Sequence, residues 1–184
     1  NAMEAAKGFS RVHIIDSAHI SSGQGLVVLH AAKMAKEGAS VVEILSEAEI
    51  VKYKVRSSFV LPGTKILYQK EFTDKFTAKI CELFHMRPVL GVLNSKIAVM
   101  GVYIGQLENV WRRYICFHLR SSLKLDDRII FVVHAGCNVR QQEIILEEIN
   151  RCMRFKQIVF TPASTASTCN SGLGSIGIAV YRRK

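Results

Sequence analysis

The sequence predicts an α/β fold built on a mixed sheet. Three observations carry that expectation. Short β-branched runs alternate with segments whose apolar residues recur at helical spacing. Two helix starts are marked by residues suited to cap them, Ser40 with Glu43 and Asn138 with Gln141. A hairpin signal at Asn94-Ser95, between two apolar runs, interrupts the alternation, so the sheet cannot be wholly parallel.

The elements follow in order. "RVHIIDS" (Arg11 to Ser17) reads as a strand, broken by "SSGQG" (Ser21 to Gly25). "LVVLHAAKMAKEG" has helical spacing and ends on Gly38, which suits a C-terminal cap. A second helix should run from about Val41 to Tyr53. "VRSSFVL" (Val55 to Leu61) reads as a strand stopped by Pro62-Gly63. A helix from about Asp74 to Phe84 would carry Phe76, Ile80, Leu83 and Phe84 on one face. "RPVLGVL" and "KIAVMGVYI" read as the two hairpin strands.

"LENVWRRYICFHLR" is a helix whose buried stripe is Leu107, Val110, Trp111, Tyr114 and Ile115. "RIIFVVHAG" (Arg128 to Gly136) reads as a buried strand, followed by a helix to about Met153. "QIVFTPA" and "IGIAVYR" finish the chain as strands. The order is β-α-α-β-α-β-β-α-β-α-β-β. A boundary is expected near Tyr53 to Arg56, dividing residues 11–53 from residues 54–184.

Composition narrows the function classes. The chain has 184 residues, 49% hydrophobic and 22% charged, which excludes wholesale disorder. Its formal net charge of +10 favours an acidic partner without naming one. Residues 1–10 read as a tag scar and leader, and natural sequence is expected to begin at Met3. No stretch approaches the ~18 uncharged apolar residues of a membrane span. Five scattered cysteines without a C-x-x-C pair read as reduced thiols in a cytoplasmic protein.

Several motifs suggest sharper chemistry. Gly172 to Gly177 fits G-x-G-x-x-G, yet only seven residues follow and they alternate like a strand. A dinucleotide site needs a helix there and an acid about 20 residues on. The stretch reads instead as a turn into the last strand. The preceding "STASTCNS", which holds Thr168, Asn170 and Ser171, forms either a backbone nest for an anion or a solvated loop. His134 ends a strand three residues before Cys137, and no orienting group marks a nucleophilic pair. It reads as a packed histidine or as a polar contact to a ligand head group.

Cys81 and His85 share a helix face, but two ligands are too few for zinc, so no metal is expected. In "WRRY" the aromatic residues fall on the core stripe and the arginines face water, which leaves no nucleic-acid surface.

"VHIIDSAHISSGQGLVVLHAAKMAKEG", then "SSFVL", "RPVLGV", "KIAVMGVYIG", "DDRIIFVVHAGC" and "TPASTASTCNSGLGSIGIAVYRRK" resemble, in that order, segments of the DegV family. The resemblance covers roughly Val12 to the end. It implies a DegV-like fold: the end of a parallel-sheet first lobe, then a second lobe with a mixed sheet and flanking helices. It implies a bacterial protein, not an enzyme and without a cofactor, that binds a long-chain fatty acid between two lobes. Such a protein can present the acid to an acyl kinase subunit.

The chain would then be a fragment lacking the family's S-S-G-L-S-G-T segment. Four of its positions depart from the family. Pro62-Gly63-Thr64 stands for D-T-L and Glu71-Phe72-Thr73 for Gly-Gly-Arg. Ile104, before Gly105, stands for the arginine of an R-G motif, and Asn170 stands for a histidine. The resemblance places the ligand's carboxylate near Asn170, Ser171, Thr168, His134, Gly105 and Ile104. The other reading is a diverged homologue that binds no lipid and acts as a structural or interaction module.

Overall fold

The structure is a computed structural model and describes residues 2–69, 74–93, 95–120 and 124–183. Glu71-Phe72-Thr73 and Asn94 lie outside the described residues. Eight helices and six strands follow one another among the described residues. They are α1 (Ala2–Ala5), α2 (Ser21–Lys36), α3 (Val41–Val51), β1 (Val55–Val60), α4 (Lys65–Gln69), α5 (Lys75–Leu83) and β2 (Met86–Leu93). After them come β3 (Lys96–Ile104), α6 (Leu107–Arg120), β4 (Leu125–His134), α7 (Val139–Cys152), β5 (Gln157–Pro162), α8 (Thr165–Ser171) and β6 (Ile176–Arg182).

The strands form one six-stranded sheet in the order β3-β2-β1-β6-β4-β5. All neighbours are antiparallel except β4 and β5, which are parallel and joined through α7. The expected mixed sheet with flanking helices is therefore present. Alternation along each strand sends side chains to two faces. In β4, Ile130 and Val132 enter one cluster while Ile129 and Phe131 pack against another.

The first face is closed by α6 and α7. Val110, Trp111, Tyr114 and Ile115 have no exposed surface, and Ile145 and Ile149 join them from α7. They meet Val60, Ile130, Val132, Ile176 and Ile178 of the sheet. Each such side chain contributes roughly 1.5–3 kcal/mol by leaving water. Several polar atoms on this face are paired, although the buried Trp111 Nε1 has no hydrogen-bond partner among the described residues. The Tyr114 hydroxyl donates to the Ser58 carbonyl at 2.7 Å, and the Ser58 hydroxyl lies 3.3 Å from His118 Nε2. Arg56 Nη2 reaches His118 Nδ1 at 3.2 Å.

The second face is covered in part, by α2 and α3. Leu26, Val27 and Val51 pack there against Val55, Ala179 and Tyr181. The Tyr181 hydroxyl donates to the Leu26 carbonyl, which ties helix to sheet. Both caps form as expected. Ser40 accepts from the Glu43 backbone N–H, and Asn138 accepts from that of Gln141.

The structure corrects three sequence expectations and adds two features. Arg11 to Ser17 is not a strand, because no strand among the described residues pairs with it; only Ile15 is packed, against the α2 cluster. The helix expected from Leu26 begins at Ser21 and takes in both glycines of "SSGQG". Gly23 is there for space, since a Cβ would lie 2.8 Å from Ser57 Oγ on the strand that α2 crosses. The face Phe76–Ile80–Leu83–Phe84 is exposed, with Phe76 at 74% and Leu83 at 75%. α5 packs instead through Ala78, whose carbonyl accepts from Thr64 Oγ1 at 2.9 Å. Lys65–Gln69 forms a short helix with no sequence counterpart, and "STASTCNS" is neither nest nor loop but the helix α8. Among the described residues, no helix is long and apolar enough to cross a membrane.

Candidate functional site

A cavity of about 450 Å³ opens on the second face, beyond the N-terminal end of α2. That volume is in the range of small-molecule sites, roughly 300–1,000 Å³. Phe59 of β1, Leu90 of β2, Ile97 of β3 and Val133 of β4 line it from the sheet. Gly177 keeps this wall open, because a Cβ there would lie 3.1 Å from both Phe59 Cβ and the Ser58 carbonyl. Leu67 of α4 closes one side.

Two polar edges bound this apolar surface. Ile20, Ser21 and Ser22 bring the first turn of α2 to the rim, and Ile20 offers no side-chain cap to the free N–H groups there. Ala166, Ser167, Asn170 and Ser171 of α8 form the facing edge. Ser164 caps α8 by accepting from the Ser167 N–H, which explains how a hydroxyl-rich run becomes helical. Gly172 and Gly174, at φ +86° and +89°, then turn the chain into β6. Gly174 passes so close to Leu107 that a Cβ would lie 2.8 Å from its Cδ2.

Among the described residues, the lining includes no His, Cys, Asp, Glu, Lys or Arg. The arrangement can therefore hold an apolar body and offer hydroxyl, amide and N–H donors.

The six residues expected near a carboxylate separate. Asn170 and Ser171 line the cavity, and Asn170 Nδ2 donates to the Ala166 carbonyl at 2.8 Å. Thr168 is on α8 but is not among the lining residues; its carbonyl accepts from Gly172 N–H. His134 is buried at the end of β4, and Nδ1 accepts from the Cys137 backbone N–H at 3.2 Å. Burial lowers its pKa and pushes the Cys137 thiol up to about 11. The two side chains therefore form no activated pair.

Ile104 and Gly105 sit at the end of β3, outside the lining, with Ile104 58% exposed. Two arginines serve their backbone. Arg113 Nη1 donates to the Ile104 carbonyl at 3.0 Å, and Arg87 Nε to the Gly105 carbonyl at 3.3 Å.

Two cavity-side residues escaped the sequence reading. His19 Nε2 lies 2.9 Å from the Lys52 carbonyl and Nδ1 lies 3.2 Å from Ser57 Oγ. A carbonyl only accepts, so Nε2 carries a proton and donates to it, while Nδ1 and the Ser57 hydroxyl share the second bond. This fixes the Ser57 hydroxyl at the cavity wall. The signal was the register of "VRSSFV", which sends Ser57 and Phe59 to one face and Ser58 to the other. A smaller depression of about 270 Å³, lined by Asp16, Ala18 and His19, adjoins the cavity through Ile20 and Ile97.

Comparison with known proteins gives these features a context. A family model described as an uncharacterised protein of the DegV family matches residues 1–183. A DegV domain-containing protein of Caldanaerobacter subterraneus is 27% identical over 146 residues, covering 79% of this chain and 50% of the relative. The chain thus spans about half the length of this curated relative.

Among solved structures, a DegV family protein from Eubacterium eligens loaded with heptadecanoic acid superposes with a TM-score of 0.81 at 15% identity. The match covers 99% of this chain and 65% of that one. The fatty acid kinase B3 protein of Streptococcus pneumoniae, loaded with linoleic acid, superposes with a TM-score of 0.79 at 16% identity. It covers 95% of this chain and 61% of that one. At such identities the likeness establishes the fold.

Proposed function

The chain belongs to the DegV family, and from that premise we propose that it binds a long-chain fatty acid in the cavity on the second face of its sheet. The observation that carries the reading is the cavity itself: an apolar sheet surface of adequate volume, bounded by uncharged hydrogen-bond donors. Each buried CH₂ of an acyl chain contributes about 0.8 kcal/mol, so an apolar slot suffices for most of the affinity. The carboxylate is placed at the polar rim, where Asn170, Ser171 and the first turn of α2 supply neutral donors.

Residues 11–53, which add no strand to the sheet, are on this reading the end of a first lobe, and residues 54–184 are the second. The protein acts by sequestration in the cytoplasm, without a cofactor and without catalysis of its own. It would present the acid to a separate kinase subunit, as the bound acid of the Streptococcus pneumoniae relative suggests.

Expression in bacteria, organic extraction and mass spectrometry test the proposal. A co-purifying long-chain fatty acid, and uptake of one offered to delipidated protein, are expected. No co-purifying acid and no uptake would overturn it.

A further inference from the structure

The closed face carries a second group of chemically capable side chains, away from the cavity. Cys116 lies on α6, and Glu148 and Cys152 lie one turn apart on α7, which packs against it. Their two sulfurs and a carboxylate oxygen all lie within 4.8 Å of one another. Ligands about 2.0–2.3 Å from a tetrahedral ion are spaced about 3.5–4 Å apart, so small side-chain rotations bring these atoms to that spacing.

The carboxylate is an unusual resident. Glu148 is 1% exposed, on a helix whose other buried residues are Ile145 and Ile149. Its charge is met from outside. Arg151 donates to Oε1 at 2.6 Å from a side chain 64% exposed, and Arg112 reaches Oε2 at 3.7 Å from one 40% exposed. The Cys152 thiol donates to the same Oε1 at 3.4 Å. Both arginines are long and anchored at the surface, so either can swing into water and leave the carboxylate and thiols facing an entering cation.

We propose that Cys116, Cys152 and Glu148 form a site for a soft divalent cation of the zinc class, which ties α6 to α7. Two thiolates select such an ion over magnesium or calcium, and three protein ligands leave a fourth position for water. Uptake replaces the two thiol protons by the metal, without any change of oxidation state. The site is independent of the lipid reading, because none of its residues lines the cavity.

The test is titration of the fully reduced chain with cobalt(II), followed by competition with zinc. A thiolate-to-cobalt absorption band that saturates at one cobalt per chain and is abolished by zinc is expected. The Cys81→Ser/Cys137→Ser/Cys169→Ser variant should keep the band. Cys116→Ser/Cys152→Ser should weaken binding by more than about 100-fold, beyond the loss usual for removing a residue that only supports a ligand. Absence of the band from the triple variant, which retains only the proposed pair, overturns the site even if the double variant fails to fold. So does a band unchanged in a folded double variant. Formation of only a Cys116–Cys152 disulfide, with no metal uptake by the reduced protein, also overturns it.

Discussion

The two faces of the sheet start from the same strands and end differently. On the α6–α7 face, inward side chains are large and meet others: Trp111 and Tyr114 have no exposed surface, and Ser58, Tyr114 and His118 satisfy one another. On the α2–α3 face the covering helices stop short. Ser57, Phe59, Leu90, Ile97 and Gly177 are left around a hollow of about 450 Å³. One face holds the fold together and the other is left free to hold something else. Substitutions on the first should act on stability, and those on the second on binding.

The largest expected effect lies on the closed face. Trp111→Ala should cost about 3–5 kcal/mol, through lost transfer energy and an unfilled cavity. Urea unfolding measures it, and a loss below about 1 kcal/mol would break the contrast between the faces. The same face makes stability depend on pH. Burial, aided by Arg56, pushes His118 down to about 4 from an ordinary 6.5. The unfolded chain then binds more protons between those values, so stability is complete above pH 6.5 and falls as pH drops towards 4.

The loss from His118 is of the order of 3 kcal/mol. His118→Gln should remove most of this slope, leaving the smaller contributions of His30 and His134, whose pKa values are also lowered by burial.

The open face should respond in the opposite way. Ala166→Trp, on the exposed rim of the cavity, should weaken fatty-acid binding by more than about tenfold, about 1.4 kcal/mol, and leave the unfolding midpoint in place. Fluorescent fatty-acid displacement and thermal unfolding, run on one sample, separate the two readouts. The smallest effect belongs to a cap. Asn138→Ala should cost about 1 kcal/mol by freeing the Gln141 N–H at the start of α7, with binding unchanged.

How much the sequence disclosed also divides between the faces. The stripe Val110–Trp111–Tyr114–Ile115 and the alternation of β4 are local patterns, and both packed as their periodicity required. The caps at Ser40 and Asn138 are equally local. The open face is not local. Its cavity gathers residues 20–22, 57–59, 90, 97, 166–167, 170–171 and 177, which nothing short of the fold brings together.

Gly23 reads as a breaker until the strand beneath it is seen to need the space. "STASTCNS" has weak helix formers, and its helix depends on the cap from Ser164. Asn170 and Ser171 could be singled out from motif order alone. Ser57 and His19 could not, since the bond between them spans 38 residues.

The most direct test of the central contrast is an NMR titration of ¹⁵N-labelled, delipidated protein with a long-chain fatty acid. Perturbed amides should cluster at Ser21, Ser22, Phe59, Ala166, Asn170, Ser171 and Gly177, while Trp111, Ile145 and Ile149 stay unmoved. Amides unmoved at saturating fatty acid, or perturbations centred on α6 and α7, would contradict the assignment of the open face as the binding site.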